Sequence, residues 1–215
     1  TPRWSPRGDL IAFTAKREQE GGKDAERQLY LIAPHGGEAR RAAGVATGVD
    51  AFRWAPDGKR LIFISWVWPE LKGMKAQAKK HKEFKERKES GYATSEAQYR
   101  YWDHNVPMGR VAHLHVLDVA SGRVTDLFEG SGLELSRAEP DANTFDIAPD
   151  GKRIAFVHDA AAEKRMDNCK VLSELNLRTR RTETLVHDKG WDLEHPRYSP
   201  DGDRIAFIAS HQGKK

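Results

Sequence analysis

His195–Ser210 reads HPRYSPDGDRIAFIAS, and the same phrase recurs three more times in the chain. Residues 2–13 read PRWSPRGDLIAF, residues 52–63 FRWAPDGKRLIF and residues 145–156 FDIAPDGKRIAF. The shared core is Ser/Ala, Pro, Asp/Arg, Gly, two variable residues, Leu/Ile, Ala/Ile and Phe. Proline presets φ for the first central position of a tight turn. Aspartate suits the second, and glycine accepts the left-handed conformation that follows. The flanking residues are apolar, β-branched or aromatic, as in RLIFISW (60–66) and RIAFVHD (153–159). Each copy therefore reads as two strands joined by a short loop.

A second hairpin follows each of the first three. LYLIAPHGGEARRAA (29–43), LHVLDVASGRVTDLF (114–128) and LSELNLRTRRTETLV (172–186) align without gaps. Each unit thus holds four strands. The core phrases start at Ser5, Ala55, Ala148 and Ser199, so two steps are near 50 residues and one is nearly doubled. A four-stranded antiparallel unit repeating at about 45–50 residues is the blade of a β-propeller. The in-phase recurrence counts against a β-sandwich. The expected fold is all-β: a partial β-propeller of about 3.5 blades with a helical or irregular insertion in the second. The expected blades are 1–48, 49–141 with insertion 69–110, and 142–192, with the next beginning at 193–215. Three and a half blades cannot close a ring, and an open edge leaves ladder hydrogen bonds unmade. The chain is therefore expected to be one part of a larger protein.

Composition sets outer limits. The 215 residues are 38% hydrophobic and carry six tryptophans, too aromatic for a disordered chain. One cysteine, Cys169, excludes an internal disulfide framework and a Cys-rich zinc site. No apolar run reaches 18 residues, so no membrane-spanning helix is expected. The net charge of +4 owes much to ELKGMKAQAKKHKEFKERKESG (70–91). Its helix formers place Leu71, Met74, Ala78 and Lys82 on one face, a thin apolar stripe that favours a solvated helix or a disordered excursion. Interleaved glutamates and the lack of a stacking platform argue against nucleic acid. The partner expectation is therefore no nucleic acid and no membrane.

Catalytic signals are absent. The chain contains no Gly-x-Ser-x-Gly, so no nucleophile elbow is available. His113 and His115 share a strand face, with only His104 as a nearby third ligand, and no metal site is expected. Cys169 has no evident activating base and reads as structural. No glycine loop for phosphate occurs, and no cofactor is expected. The richest segment is YATSEAQYRYWDHNVPMGRVAHLHV (92–116). It gathers Tyr92, Tyr99, Tyr101 and Trp102 beside Arg100, Asp103, His104 and Arg110, which suits either a binding surface or an anchor for the insertion.

The repeats resemble those of TolB-type propellers and of the prolyl oligopeptidase family of serine peptidases. YRYWDHNVPMGRVAHLHVLDVASGRVTDLFEG (99–130) is similar to the Tyr-Arg-(Phe/Tyr)-Trp-Asp segment of that family's acylaminoacyl-peptidase and dipeptidyl-peptidase branch. There too it follows a Lys/Glu-rich insertion. The resemblance implies a propeller that gates and size-selects peptide substrates for an α/β-hydrolase domain lying outside this chain. It implies no catalytic residue here. The substrate-binding candidates are Arg100, Trp102, Asp103 and Arg110. The implied partners are a peptide substrate, the remaining blades and the hydrolase domain, with a homo-oligomer left open. The implied compartment is the cytoplasm, with the periplasm as the alternative. The competing expectation is a TolB-like propeller that binds a protein and catalyses nothing. Lacking a nucleophile elbow, the 215-residue chain alone should not hydrolyse aminoacyl or acylaminoacyl reporters. Serine-directed covalent labelling of this chain, lost on mutating one serine, would contradict that inventory.

Overall fold

The computed structural model describes residues 2–19, 22–89, 91–102, 104–105, 108–166, 169–211 and 213. The chain divides into two compact units: Thr1–Arg87 with His113–Gly130, and Lys88–Ala112 with Ser131–Lys215.

The first unit contains two four-stranded antiparallel sheets. One is ordered β1 (Arg3–Trp4), β2 (Ile11–Ala15), β5 (Gln28–Ile32), β6 (Arg40–Arg41). A short hairpin of β3 (Glu18–Gln19) and β4 (Gly22–Lys23) extends between its second and third strands. The other pairs β7 (Phe52–Trp54), β8 (Arg60–Val67), β11 (Val111–Asp118) and β12 (Val124–Asp126) in that order. Between β8 and β11 run the helix α1 (Gly73–Glu86) and the hairpin of β9 (Arg100–Tyr101) with β10 (His104–Asn105). The second unit holds a third blade, β13 (Phe145–Ile147), β14 (Arg153–Asp159), β15 (Lys170–Asn176), β16 (Thr182–Val186). It also holds the two-stranded pair β17 (Trp191–Tyr198) and β18 (Ile205–His211).

Every Pro-x-Gly turn closes identically. The glycine N–H donates to the carbonyl of the Ser or Ala three residues earlier, at 3.0, 2.9, 2.8 and 2.9 Å for Gly8, Gly58, Gly151 and Gly202. That same Ser or Ala N–H donates across the turn to Leu10, Arg60, Arg153 or Arg204. All four glycines are left-handed, with φ between 63° and 78°. A second reason for glycine comes from the neighbouring blade. A Cβ on Gly58 would lie 2.8 Å from the Arg7 side chain, and one on Gly202 would lie 3.3 Å from Pro149 Cδ. Within each unit, the turn of one blade packs on the turn of the blade before it.

Further contacts repeat with the blades. Trp54 Nε1 donates to the Arg3 carbonyl, and the Tyr198 N–H donates to Asp146 Oδ2. The Val119 N–H reaches the Lys59 carbonyl as the Leu177 N–H reaches that of Lys152, each at 2.9 Å. Central strands are covered on both faces. Leu61 to Ile64 are fully buried in succession, as are Ile154 to Phe156, so these strands read as continuous apolar runs. In the first unit Leu29, Leu31, Phe52, Leu61, Phe63 and Leu117 share one core. In the second, Ala155, Val157, Leu172 and Leu193 do so.

The insertion helix differs from expectation. Its buried residues are Gln77 and His81, while Ala78 and Lys82 are exposed. The helix is held by polar contacts that a hydrophobic stripe does not register. Gln77 Oε1 accepts the Trp68 N–H at 3.0 Å and its Nε2 donates to the Trp68 carbonyl at 2.8 Å. Glu26 gathers Lys85 at 2.8 Å, His81 at 3.3 Å and Lys16 at 3.4 Å. Phe84 meets Trp68 edge-on. The segment is therefore a docked helix.

A methyl group at residue 202 would combine a strained φ with a rigid proline neighbour. Gly202→Ala should cost about 1–2 kcal/mol in urea unfolding. Gly44→Ala, with open space and ordinary φ, should be close to neutral. Equal midpoints for the two variants would remove the turn-stacking argument.

Candidate functional site

The β9–β10 hairpin carries Arg100 and Trp102 of the residues singled out from sequence. Tyr101 pairs with His104 and Arg100 with Asn105, leaving a two-residue turn. Trp102 adopts φ 50°, a left-handed conformation that suits such a turn. Its indole is 79% exposed. Arg100 is also exposed, and its Nε donates to the Trp102 carbonyl at 2.7 Å, a contact that braces the turn. Arg110 is half-buried immediately before β11. Asp103 lies outside the described residues. The structure thus joins Arg100 to Trp102.

The approach to this hairpin is firmly anchored, as one of the two sequence readings of this segment expected. Arg137 is buried and holds Glu134 at 3.0 Å and Glu96 at 2.9 Å. Its Nη1 also donates to the Gln98 carbonyl. Gln98 Nε2 donates to Asp159 Oδ2, and the backbone N–H groups of Ala97 and Gln98 reach the carbonyls of Glu163 and Ala162. Residues 96–98 are fixed, and the exposed Trp102 follows four residues later.

A cavity of about 200 Å³ opens in the second unit, lined by Ser136, Glu139, Asp141, Lys170, Glu194 and His195 among others. Arg100, Trp102 and Arg110 are not among its described lining residues. Glu139 and His195 are left-handed at φ 47° and 54°, and His195 sits in the bulge that breaks the β17–β18 register. Lys170 is nearly buried and contacts Glu194 at 2.8 Å and Asp192 at 3.2 Å. Burial works to lower its pKa, but the Glu194 hydrogen bond and the two carboxylate charges prevail and raise it. Lys170 is thus a permanent cation balanced in place.

Two polar clusters correct the sequence reading. Asp126, across the ladder from His115, supplies the acidic neighbour that the histidine pair lacked: its Oδ2 lies 2.8 Å from His113 Nδ1 and 3.7 Å from His115 Nε2. His115 is buried and stacks on Phe63, and its pKa falls to about 4, chiefly through burial. Among the described residues no group of three forms a metal site. Cys169, read as lacking a base, has its Sγ 3.4 Å from His187 Nε2. Long-range pairing in the blade makes that contact, and local sequence does not announce it. His158 bonds Ser173 Oγ at 3.0 Å and is likewise lowered to about 4, first by burial and then by His187.

No family model matches the chain. It is 30% identical over 221 residues to dipeptidyl-peptidase 5 of Porphyromonas endodontalis, covering 97% of this chain and 29% of that protein. Acylaminoacyl peptidase of Pyrococcus horikoshii superposes with a TM-score of 0.59 at 15% identity, covering 99% of this chain and 28% of that one. TolB of Acinetobacter baumannii does so at 0.50 and 16%, covering 96% and 40%. The fold is therefore a partial β-propeller built from four-stranded antiparallel blades. The chain's curated relatives carry peptidase names, dipeptidyl-peptidase 5 among them. The chain spans between 21% and 29% of the length of the curated relatives it matches. Among the described residues no helix is long and apolar enough to cross a membrane.

The buried histidines set a pH dependence. Their folded pKa values of about 4 lie below the unfolded value of 6.5, so the unfolded chain takes up protons first as pH falls. Stability should therefore drop as pH falls from 6.5 towards 4. The lowered carboxylates Glu26 and Glu194 weaken only below their ordinary 4.5, while Glu134, raised chiefly by burial, opposes the histidines above it, so the histidine share is read from a variant. Each histidine contributes at most about 1.4 kcal/mol per pH unit. His158→Gln, which keeps a donor for Ser173, should flatten the urea-midpoint slope in that window. An unchanged slope would show that His158 charges freely in the folded state.

Proposed function

We propose that this chain is the propeller segment of a serine peptidase that hydrolyses short peptides. The propeller gates and size-selects the substrate, and the catalytic triad belongs to an α/β-hydrolase domain outside these residues. The carrying observation is the match to dipeptidyl-peptidase 5 along almost the whole chain. The absence of Gly-x-Ser-x-Gly from the 215 residues agrees with a non-catalytic role for this part.

In this reading the propeller works by sterics. Its walls admit a short unfolded peptide and exclude a folded protein. The β9–β10 hairpin offers contacts of the right kind. With Nε engaged on the Trp102 carbonyl, the remaining guanidinium N–H groups of Arg100 fork onto a peptide carboxylate or backbone carbonyl. Asp103 pairs with an amino group. Trp102 supplies apolar surface that excludes water and strengthens both contacts. Arg110 adds positive charge at the foot of the insertion. A second reading is a protein-binding scaffold, favoured by the likeness to TolB.

The test uses the full-length protein. Arg100→Ala should lower kcat/KM for dipeptidyl reporters about tenfold or more while leaving Tm nearly unchanged, since the side chain is exposed. A destabilised variant with normal kinetics would end the substrate-contact role. Failure of the full-length protein to take a serine-directed covalent label would favour the scaffold.

A further inference from the structure

The outward face of α1 carries four exposed lysines, with the exposed Glu83 one turn on from Lys79 and Lys80 as the nearest acid on that face. Lys72, Lys75, Lys79 and Lys80 are exposed, and none has a carboxylate partner among the described residues. Lys85 is tied to Glu26, and Lys82 faces Glu86 at 3.8 Å. Lys72 and Lys75 flank the helix start, while Lys79 and Lys80 lie about two turns in. The start is the wrong end for the first two, because the N-terminal macrodipole is positive. The first turn holds no acidic residue of its own and Lys72 at the N-cap makes no side-chain capping bond; the acid at the helix start is Glu129, whose Oε2 accepts the Gly73 N–H at 2.8 Å. Lys75 and Lys79, four apart, also repel each other. Isolated, such a helix start is disfavoured. It is held in place by Gln77 on Trp68 and by His81 and Lys85 on Glu26, on the opposite face.

We infer that this face is a docking surface for an extended acidic peptide segment, independent of the peptidase reading. A helix spaces residues four apart by about 6 Å, close to the roughly 6.6 Å between alternate side chains of an extended strand. Alternating glutamates or aspartates can therefore meet Lys75 and Lys79 in register, with Lys72 and Lys80 flanking. Nucleic acid fits less well. Phe84 is partly buried against Trp68 with Arg87 over its ring, so the helix offers no free aromatic plane for a base. A membrane fits less well too, since Met74 and Phe84 pack inward and leave no apolar face to insert.

The experiment measures fluorescence anisotropy of a labelled peptide of alternating Glu and Gly on the 215-residue chain. Binding should occur at low salt and weaken as salt rises, as screening of exposed charges requires. Replacing Lys72, Lys75, Lys79 and Lys80 together with Gln should weaken it about tenfold. Replacing the same four with Arg should retain it, and circular dichroism should show both variants folded. Three results would overturn the inference: no binding at low salt, unchanged binding by the Gln variant, or equal or tighter binding of single-stranded DNA or phosphatidylglycerol vesicles at matched charge.

Discussion

A left-handed glycine behind Pro-Asp is the constraint on which the blades depend. It reverses the chain within four residues, so β7 and β8, or β13 and β14, pair from their first residues. It also removes the one Cβ that would strike the adjacent turn, at Arg7 or at Pro149. Hairpin closure and blade stacking are thus served by one missing atom. The buried runs Leu61–Ile64 and Ile154–Phe156 follow from the stacking, because a strand covered on both faces has no use for alternation.

The blades were legible because their turns are short-range chemistry repeated four times. Pro, Asp and Gly act within one loop, and no tertiary context was needed to place β1, β2, β7, β8, β13, β14, β17 and β18. The glycine-free turn Arg178–Arg180 was legible only by alignment with its sisters. There Asn176 Oδ1 accepts from the Arg178 and Thr179 N–H groups while Arg180 takes φ 60°. Asp118 caps the sister turn in the same way, accepting the Ser121 N–H at 2.8 Å, so the side-chain cap is common to both and the glycine at 122 is not.

The insertion was misread in its burial because its attachment is polar. Hydrophobic periodicity pointed to Ala78 and Lys82, yet Gln77 satisfies both backbone groups of Trp68 and Glu26 collects three cations. Arg137 likewise gathers residues from the insertion and from beyond β12, and no spacing rule connects positions 96 and 137. The Asp126 and His187 contacts escaped for the same reason: strand pairing makes them. The Arg100–Trp102 pair lay inside one hairpin, and its brace is a local bond.

The turns have unequal freedom to drift. Where Asn176 caps the loop, a large side chain at residue 180 is accommodated in the left-handed conformation. At residue 202 the space is already occupied by the Pro149 ring. Crowding differs from turn to turn within each kind: Gly122 of a distal turn faces the Ala42 carbonyl at 3.3 Å, whereas Gly8 of a Pro-x-Gly turn faces open space. The tempo of divergence within a blade is therefore written turn by turn, by steric neighbours more than by the strands themselves.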